Sequence, residues 1–557
     1  MKHFLSYVDE SIKVNWNRPA LSNYGANTLT YGAVASEIKK MHVLFEKCGI
    51  AKGEKIALCA RNSAEWCVAY LAVVSYDAVC VPLLPDFLPQ NIADLTRLSD
   101  SRLLFVDKAI MGGLKRDGII PQFAQFEGFL GLVDIVGLGV CESCNGKLDG
   151  IEEAVEESFM ARFPNGVTPK CVNFAKDNLD SLAIISYTSG TSSSPKGVML
   201  PARSLSANVE FARKHIPAVA DDKILSILPL AHIFGQIFDF VYPFTCGCHI
   251  NIFTEKPVPA RLLKALADVR PYMFLTVPLL IEKIFRAKVM PQLQSKKMRA
   301  MLAVPGLRSV IYKKVRQKLV ATFGGNICKG GVILGGAALN KDVEAIMKKI
   351  KFPYTVGYGM TECGPLLSYM RWPDFKIHSC GAVAHPGVEI RIDSENPETV
   401  PGEIQAKGDS VMVGYYRNDE ATNAAFTADG WLRTGDMGLM DKNENIYIKG
   451  RCKSMILTAN GQNVYPEEIE DIINQLPLVT ESLVVGRKHG LAALVVPDAE
   501  AAKAEGLNDE QLAARLESEI MALNTKLPTY SKLTICELMK EPFEKTPKLS
   551  IKRFMYK

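Results

Sequence analysis

Between Thr188 and Lys196 the chain carries hydrogen-bond donors and a cation with almost no bulk. Thr188, Ser189, Gly190, Thr191, Ser192 and Ser193 are small or hydroxyl-bearing, and Ser194, Pro195, Lys196 and Gly197 follow. Small residues let successive backbone N–H groups converge on one anion, hydroxyls add donors, and a lysine adds positive charge. That is the chemistry of a triphosphate cradle. It is not the common P-loop, GxxxxGK[ST] opening a helix, because Lys196 follows a proline and precedes Gly197-Val198. A flexible Ser/Gly surface loop would share the composition but would not need the ordered TSGT…PKG string.

Metal chemistry of the cysteine type is poorly supported. The pair Cys141 and Cys144 is the one metal-like spacing among 14 scattered cysteines. A tetrahedral zinc site needs four ligands, and no partner pair is evident. Cysteines without a disulfide framework fit a reducing cytoplasm. A net charge of +5 is small for 557 residues and argues against a nucleic-acid role. The first 25 residues include Asp9, Glu10 and Lys13 and lack a long apolar core, so no secretory signal is expected. The most apolar stretch, 224–252, is interrupted by Pro229, His232, Gln236, Asp239 and Pro243. It reads as core rather than a membrane span, which leaves only peripheral membrane contact open.

The elements that must hold the cradle follow from hydrophobic period. The apolar run 182–186 reads as a buried strand that delivers the loop. Before it, helical patterns at 31–48 and 64–74 alternate with strands at Lys55–Cys59, 79–84 and 103–106. Such alternation predicts a doubly wound parallel sheet. Residues 379–416 read as short strands separated by Pro/Gly turns, a pattern that predicts a small β-barrel. After Asn460-Gly461, Tyr465-Pro466-Glu467-Glu468 reads as a helix start, with proline in the first turn and acids at the positive end. Strand patterns at 483–485 and 491–496 and a helix at 509–523 complete the chain. The length predicts about three or four compact units.

The string YTSGTSSSPKGV at 187–198 closely resembles the phosphate-binding signature of the adenylate-forming (AMP-binding) superfamily. Further motifs stand in the expected order from about Thr28 to Arg553. The run LPLAHIFG at 228–235 resembles the superfamily's acyl-pocket motif, and FLTVPLLIEKI at 274–284 resembles medium- and long-chain acyl-CoA synthetases in particular. The resemblance places His232 and Phe234 at the border of an acyl pocket. A lone histidine in an apolar run is otherwise an ordinary core residue. In GGAAL at 335–339, missing side chains would let a flat ring lie against the backbone. The resemblance puts adenine beside Gly336, Ala337 and Ala338, although a tight strand–helix turn needs the same residues.

The string VGYGMTE at 356–362 carries the most specific implications. There Tyr358 and Gly359 would meet the purine and Thr361 a phosphate. Glu362 would hold Mg²⁺, which favours one or two carboxylates plus substrate phosphates. In GWLRTGD at 430–436, Asp436 matches the ribose-binding aspartate, whose carboxylate can accept from both hydroxyls. Arg451 matches a second ribose contact and Lys453 the hinge residue. The implied fold is α/β: a large N-terminal domain of two doubly wound subdomains plus a small β-barrel (1–449), then a small mobile α+β domain (450–557). The implied reaction converts a fatty acid or other carboxylic acid, with ATP and Mg²⁺, to acyl-AMP and then to a thioester of coenzyme A. A carrier protein is the alternative acceptor.

The tail departs from the family. The signature there runs Thr, two residues, Gly, Lys, Ile, one residue, Arg. Anchored on Thr546, Ile551 and Arg553, its glycine position holds Leu549 and its lysine position Ser550. A serine supplies no positive charge to the reacting phosphate. Lys548 and Lys552 flank it, and in an extended segment they share its face. Lys548 is therefore the expected substitute, and a catalytically impaired nucleotide or acyl-adenylate binder is the alternative.

Overall fold

The computed structural model describes residues 1–188, 195–255, 258–457, 463–487, 490–545 and 551–556, without the side chains of 294, 463 and 530. Ser189, Gly190, Thr191 and Ser192 of the cradle therefore lie outside the described residues, as do Lys548 and Ser550.

Alternation within single strands builds the first subdomain. In strand Lys55–Cys59, Ile56 and Leu58 enter one hydrophobic core, whereas Ala57 and Cys59 enter another. Successive side chains of a strand point to opposite faces, so a strand apolar at every position must be covered twice. Helices Tyr31–Lys47 and Ala64–Ser75 cover the first face, and Pro89–Leu98 and Lys108–Arg116 the second. The eight-stranded sheet runs in the order Gly414–Tyr415, Lys196–Pro201, Leu182–Thr188, Val79–Pro82, Lys55–Cys59, Ser101–Val106, Gly131–Asp134, Val140–Ser143. Its five central strands are parallel and its margins antiparallel. Side chains cap the helix starts: Thr30 accepts from the N–H of Ala33, and Ser63 from that of Trp66.

A second subdomain contains the parallel strands Met273–Thr276, Gly331–Leu334 and Tyr354–Val356. The Tyr272 N–H donates to Lys223 O at 2.8 Å, joining them to strands Lys223–Ser226, His249–Ile252 and Pro19–Asn23. The strands expected to form a barrel make a four-stranded antiparallel sheet: Glu389–Asp393, Gly402–Lys407, Leu432–Met440, Ile446–Arg451. A bridge between Ala382 and Asn445 joins it to the small sheet that carries Tyr358. Among the described residues the C-terminal unit has a three-stranded sheet, Val479–Arg487, Gly490–Pro497 and Leu533–Leu538, and the antiparallel pair Ile456–Leu457 and Asn463–Val464. It owns a separate core in which helices Pro466–Ile473 and Asp509–Ala522 bury Ile469, Ile473, Leu512, Leu516 and Ile520. No helix among the described residues is long and apolar enough to cross a membrane.

The apolar run 224–252 is indeed core, but with an irregularity that hydrophobic period does not reveal. After the short helix Ile233–Gly235 it winds as a π-helix, Gln236–Val241, before returning to α-helix at Tyr242.

Candidate active site

Lys196 opens strand Lys196–Pro201, opposite Thr188 on the strand that enters the cradle. Its Nζ lies 4.9 Å from the centre of the Tyr415 ring, a cation–π contact. The hydroxyl of the same tyrosine donates to Glu362 Oε1 at 3.0 Å. Glu362 sits in the 3₁₀ turn Thr361–Cys363, which also holds the buried Thr361, and its backbone carbonyl accepts from the N–H of Met412 at 2.8 Å. The two charged residues expected at the phosphates are therefore gathered on one aromatic side chain. Burial, then the neighbouring Glu362 carboxylate, pushes the Tyr415 hydroxyl well above its ordinary titration range, so it remains a donor. Sequence reasoning missed Tyr415. Its only signal was a second aromatic in VGYY at 413–416, where either tyrosine could have been the packed one.

A second cluster forms where Asp436 faces Arg451 across neighbouring strands. Arg451 Nε lies 2.9 Å from Asp436 Oδ1, and the Tyr358 hydroxyl donates to Oδ2 at 2.7 Å. Asp436 and Tyr358 are buried, whereas the Arg451 side chain is 62% exposed. Burial raises the Asp436 carboxyl above its usual range, and the Arg451 charge and the Tyr358 hydrogen bond oppose the rise. Three residues from strings up to 93 positions apart (358, 436 and 451) thus form one unit. A carboxylate has about four lone-pair sites, so both Asp436 oxygens retain acceptor capacity for hydroxyl groups.

The glycine shelf lies at the carboxyl ends of the parallel strands, the usual place for ligands in such sheets. Gly335 is buried under Phe234: a Cβ built there would stand 3.0 Å from the ring. This contact brings the expected acyl-pocket motif against the expected adenine motif. Gly336, Ala337 and Ala338 follow as exposed residues, and Gly336 takes φ +83°, a left-handed conformation that suits glycine. Gly359 has a structural reason to be glycine, since a Cβ would lie 2.1 Å from Pro365 O, just before the adjoining strand Leu366–Tyr369. Half-buried His232 accepts from the N–H of Phe234 at 3.3 Å through Nδ1 and so caps the turn that begins helix Ile233–Gly235.

The C-terminal unit meets this site at Gly450. A Cβ there would lie 2.9 Å from Glu467 Oε2 in the first turn of helix Pro466–Ile473. The same helix is tied to the end of the chain: Arg553 pairs with Glu470 and lies 3.6 Å from Glu467. Burial raises the Glu470 carboxyl to about 7 despite that arginine. Lys545 and Ile551, on either side of the segment that holds Lys548 and Ser550, form an antiparallel bridge. Lys552 is engaged by Glu544 at 3.1 Å. Lys453 is an exposed residue in the turn after strand Ile446–Arg451. Among the described residues no three His, Cys, Asp or Glu side chains gather as a metal cage. The donor set that fits a cation is the single carboxylate of Glu362, with substrate phosphates supplying further oxygen ligands.

Comparison with known proteins bears on the family and the fold. Residues 8–416 match the family model described as AMP-binding enzyme, and residues 453–556 match that of the AMP-binding enzyme C-terminal domain. The long-chain-fatty-acid–CoA ligase FadD15 of Mycobacterium bovis is 28% identical over 499 residues, covering 85% of this chain and 78% of that protein. The 4-coumarate–CoA ligase CCL1 of Humulus lupulus is 26% identical over 507 residues, covering 88% and 83%. Among solved structures, ATP-bound MatB from Rhodopseudomonas palustris superposes with a TM-score of 0.76 at 22% identity, covering 100% of this chain and 98% of that one. That last likeness is one of fold.

Proposed function

The chain belongs to the AMP-binding, adenylate-forming enzymes, and from that premise we propose that it is a fatty acid–CoA ligase of the AMP-forming acid–thiol type. The observation that carries the reading is the pairing of Lys196 and Glu362 through Tyr415, together with the separate Tyr358–Asp436–Arg451 cluster. One is suited to phosphates and a cation, the other to a nucleoside. The likeness to FadD15 and the 228–284 region favour a fatty acid as substrate, and the fourteen free cysteines suit a cytoplasmic setting.

In the first half-reaction a substrate carboxylate oxygen attacks the α-phosphorus of ATP. A new P–O bond forms, the bond to the β-phosphate oxygen breaks, and pyrophosphate leaves with the electron pair. Lys196 holds phosphate oxygens and stabilises charge that develops on them. Glu362 would hold Mg²⁺, which when bound supplies further charge neutralisation. Tyr358, Asp436 and Arg451 orient the nucleoside, so that positioning does much of the work. In the second half-reaction the coenzyme A sulfur attacks the acyl carbonyl and AMP departs.

Ser550 favours a second reading, a nucleotide or acyl-adenylate binder with weak adenylation. Groups aimed at transition-state charge are worth about 10²–10³ in rate, and the family's lysine is absent at that position. The test is pyrophosphate release with a panel of carboxylic acids, with and without coenzyme A, by the wild type, Lys548→Ala and Ser550→Lys. Fatty-acid-dependent release by the wild type, lost in Lys548→Ala, is the expected result. Release only by Ser550→Lys would favour the binder. A thioester with a carrier protein but none with free coenzyme A would change the acceptor.

A further inference from the structure

Tyr415 touches both charged groups of the phosphate site and has no part in the reaction as described above. Its ring lies under the Lys196 ammonium at 4.9 Å, and its hydroxyl donates to Glu362 Oε1 at 3.0 Å. Tyr415 is 9% exposed, and its backbone is fixed on two sides. Tyr415 pairs with Val198 at the margin of the eight-stranded sheet, and its N–H donates to Thr422 Oγ1 at 2.9 Å. Next to it, the Tyr416 N–H donates to Gly197 O at 2.7 Å, one residue from Lys196. The same segment grips Glu362 through the Met412 N–H.

The ammonium and the carboxylate share one side chain, and opposite charges gathered on it attract each other. Among the described residues Lys196 has no carboxylate partner, and Glu362 has no side-chain partner other than Tyr415. We propose that Tyr415 is a positioning residue that keeps Lys196 and Glu362 apart. The negative face of the ring holds the ammonium, and the hydroxyl at its edge ties down one carboxylate oxygen. Oε2 is then left for a cation and Nζ for phosphate oxygens. Without the ring, the two groups would neutralise one another and a ligand would have to break that pair before binding.

This inference rests on the ATP-site reading, and the test separates the two. ATP binding is followed by calorimetry as a function of Mg²⁺ and of salt for the wild type, Tyr415→Phe and Tyr415→Leu. Phenylalanine keeps the face and removes the hydroxyl. Its Mg²⁺ half-saturation should rise about tenfold, the order of one hydrogen bond to a charged group, while ATP affinity at saturating Mg²⁺ stays near the wild type. Leucine removes both, so ATP affinity should fall at low salt. A polyanion binds the wild type more weakly as salt rises, but screening also loosens a Lys196–Glu362 pair. The affinity of Tyr415→Leu should therefore fall less steeply with salt than that of the wild type. An unchanged Mg²⁺ dependence in Tyr415→Phe overturns the proposal, and so does a salt slope in Tyr415→Leu parallel to the wild type. If leucine prevents folding, the phenylalanine variant decides alone. Failure of the wild type to bind ATP at all would overturn the ATP-site reading and this inference together.

Discussion

Glu362 has one carboxylate oxygen committed to a phenol and the other without a side-chain partner among the described residues, which is the state a cation ligand should have before ATP arrives. Glu362→Gln keeps nearly the same volume and can still accept from Tyr415, but it removes the negative charge that a hard cation requires. Pyrophosphate release should fall by about 10²–10³-fold, with the thermal midpoint and circular dichroism unchanged. Full release by the variant would remove Glu362 from the cation site. The candidacy of Glu362 was legible because YGMTE is contiguous. Tyr415 was not legible, because its two partners stand at 196 and 362 and only the fold brings them to one ring. The mutual engagement of Tyr358, Asp436 and Arg451 was hidden for the same reason. Each residue type could be read for a ligand, while their hydrogen bonds to one another depend on strand register.

The elements follow the same division. Short runs buried on both faces, such as Lys55–Cys59 and Ser101–Val106, were readable from composition and length, as were capped helices such as Tyr31–Lys47. The two-residue strand Gly414–Tyr415 has no periodicity to read. The π-helix Gln236–Val241 departs from the period by which a helix is recognised, and its sequence passes as ordinary core. It carries a consequence for stability. Asp239 on this element is fully buried, with Oδ1 unpaired, and burial raises its carboxyl from 3.8 to about 8. The hydrogen bond that the Leu228 N–H donates to Oδ2 at 3.3 Å only partly opposes the rise. A raised acid in the folded state binds a proton that the unfolded chain has released. Its contribution is thus fully present below about 3.8 and is lost as pH climbs through about 8. Asp239→Asn cannot ionise, so its thermal midpoint should decline less between pH 5 and pH 8.5 than that of the wild type. The gain should build progressively across that window and level off above about 8. Superimposable pH slopes would mean that Asp239 is solvated in the folded protein.

At the scale of the whole molecule, the C-terminal unit has its own core and touches the larger domain through few polar groups. Helix Pro466–Ile473 packs at Gly450, and Arg286 donates to the carbonyl of Asn474 at 3.4 Å. Asp471 is raised to about 6 by burial, a rise that the nearby Lys341 opposes and Glu282 adds to. A unit able to leave a pose held by such contacts would suit the two successive half-reactions proposed above. The turn between the units is where the dihedral change would fall. Ser454 and Met455 both donate to Arg451 O, and Cys452 donates to Gly435 O, whereas the N–H of Lys453 takes part in none of these bonds. Lys453→Pro therefore fixes φ without deleting a backbone hydrogen bond of the turn. If the unit swings there to serve the second half-reaction, the substitution should slow thioester formation from supplied acyl-adenylate by at least about tenfold more than it slows pyrophosphate release. The two half-reactions are measured separately, the first by pyrophosphate and the second by AMP release in the presence of coenzyme A. Equal losses in both would place the hinge elsewhere. An unaffected second half-reaction would mean that one pose serves both chemistries.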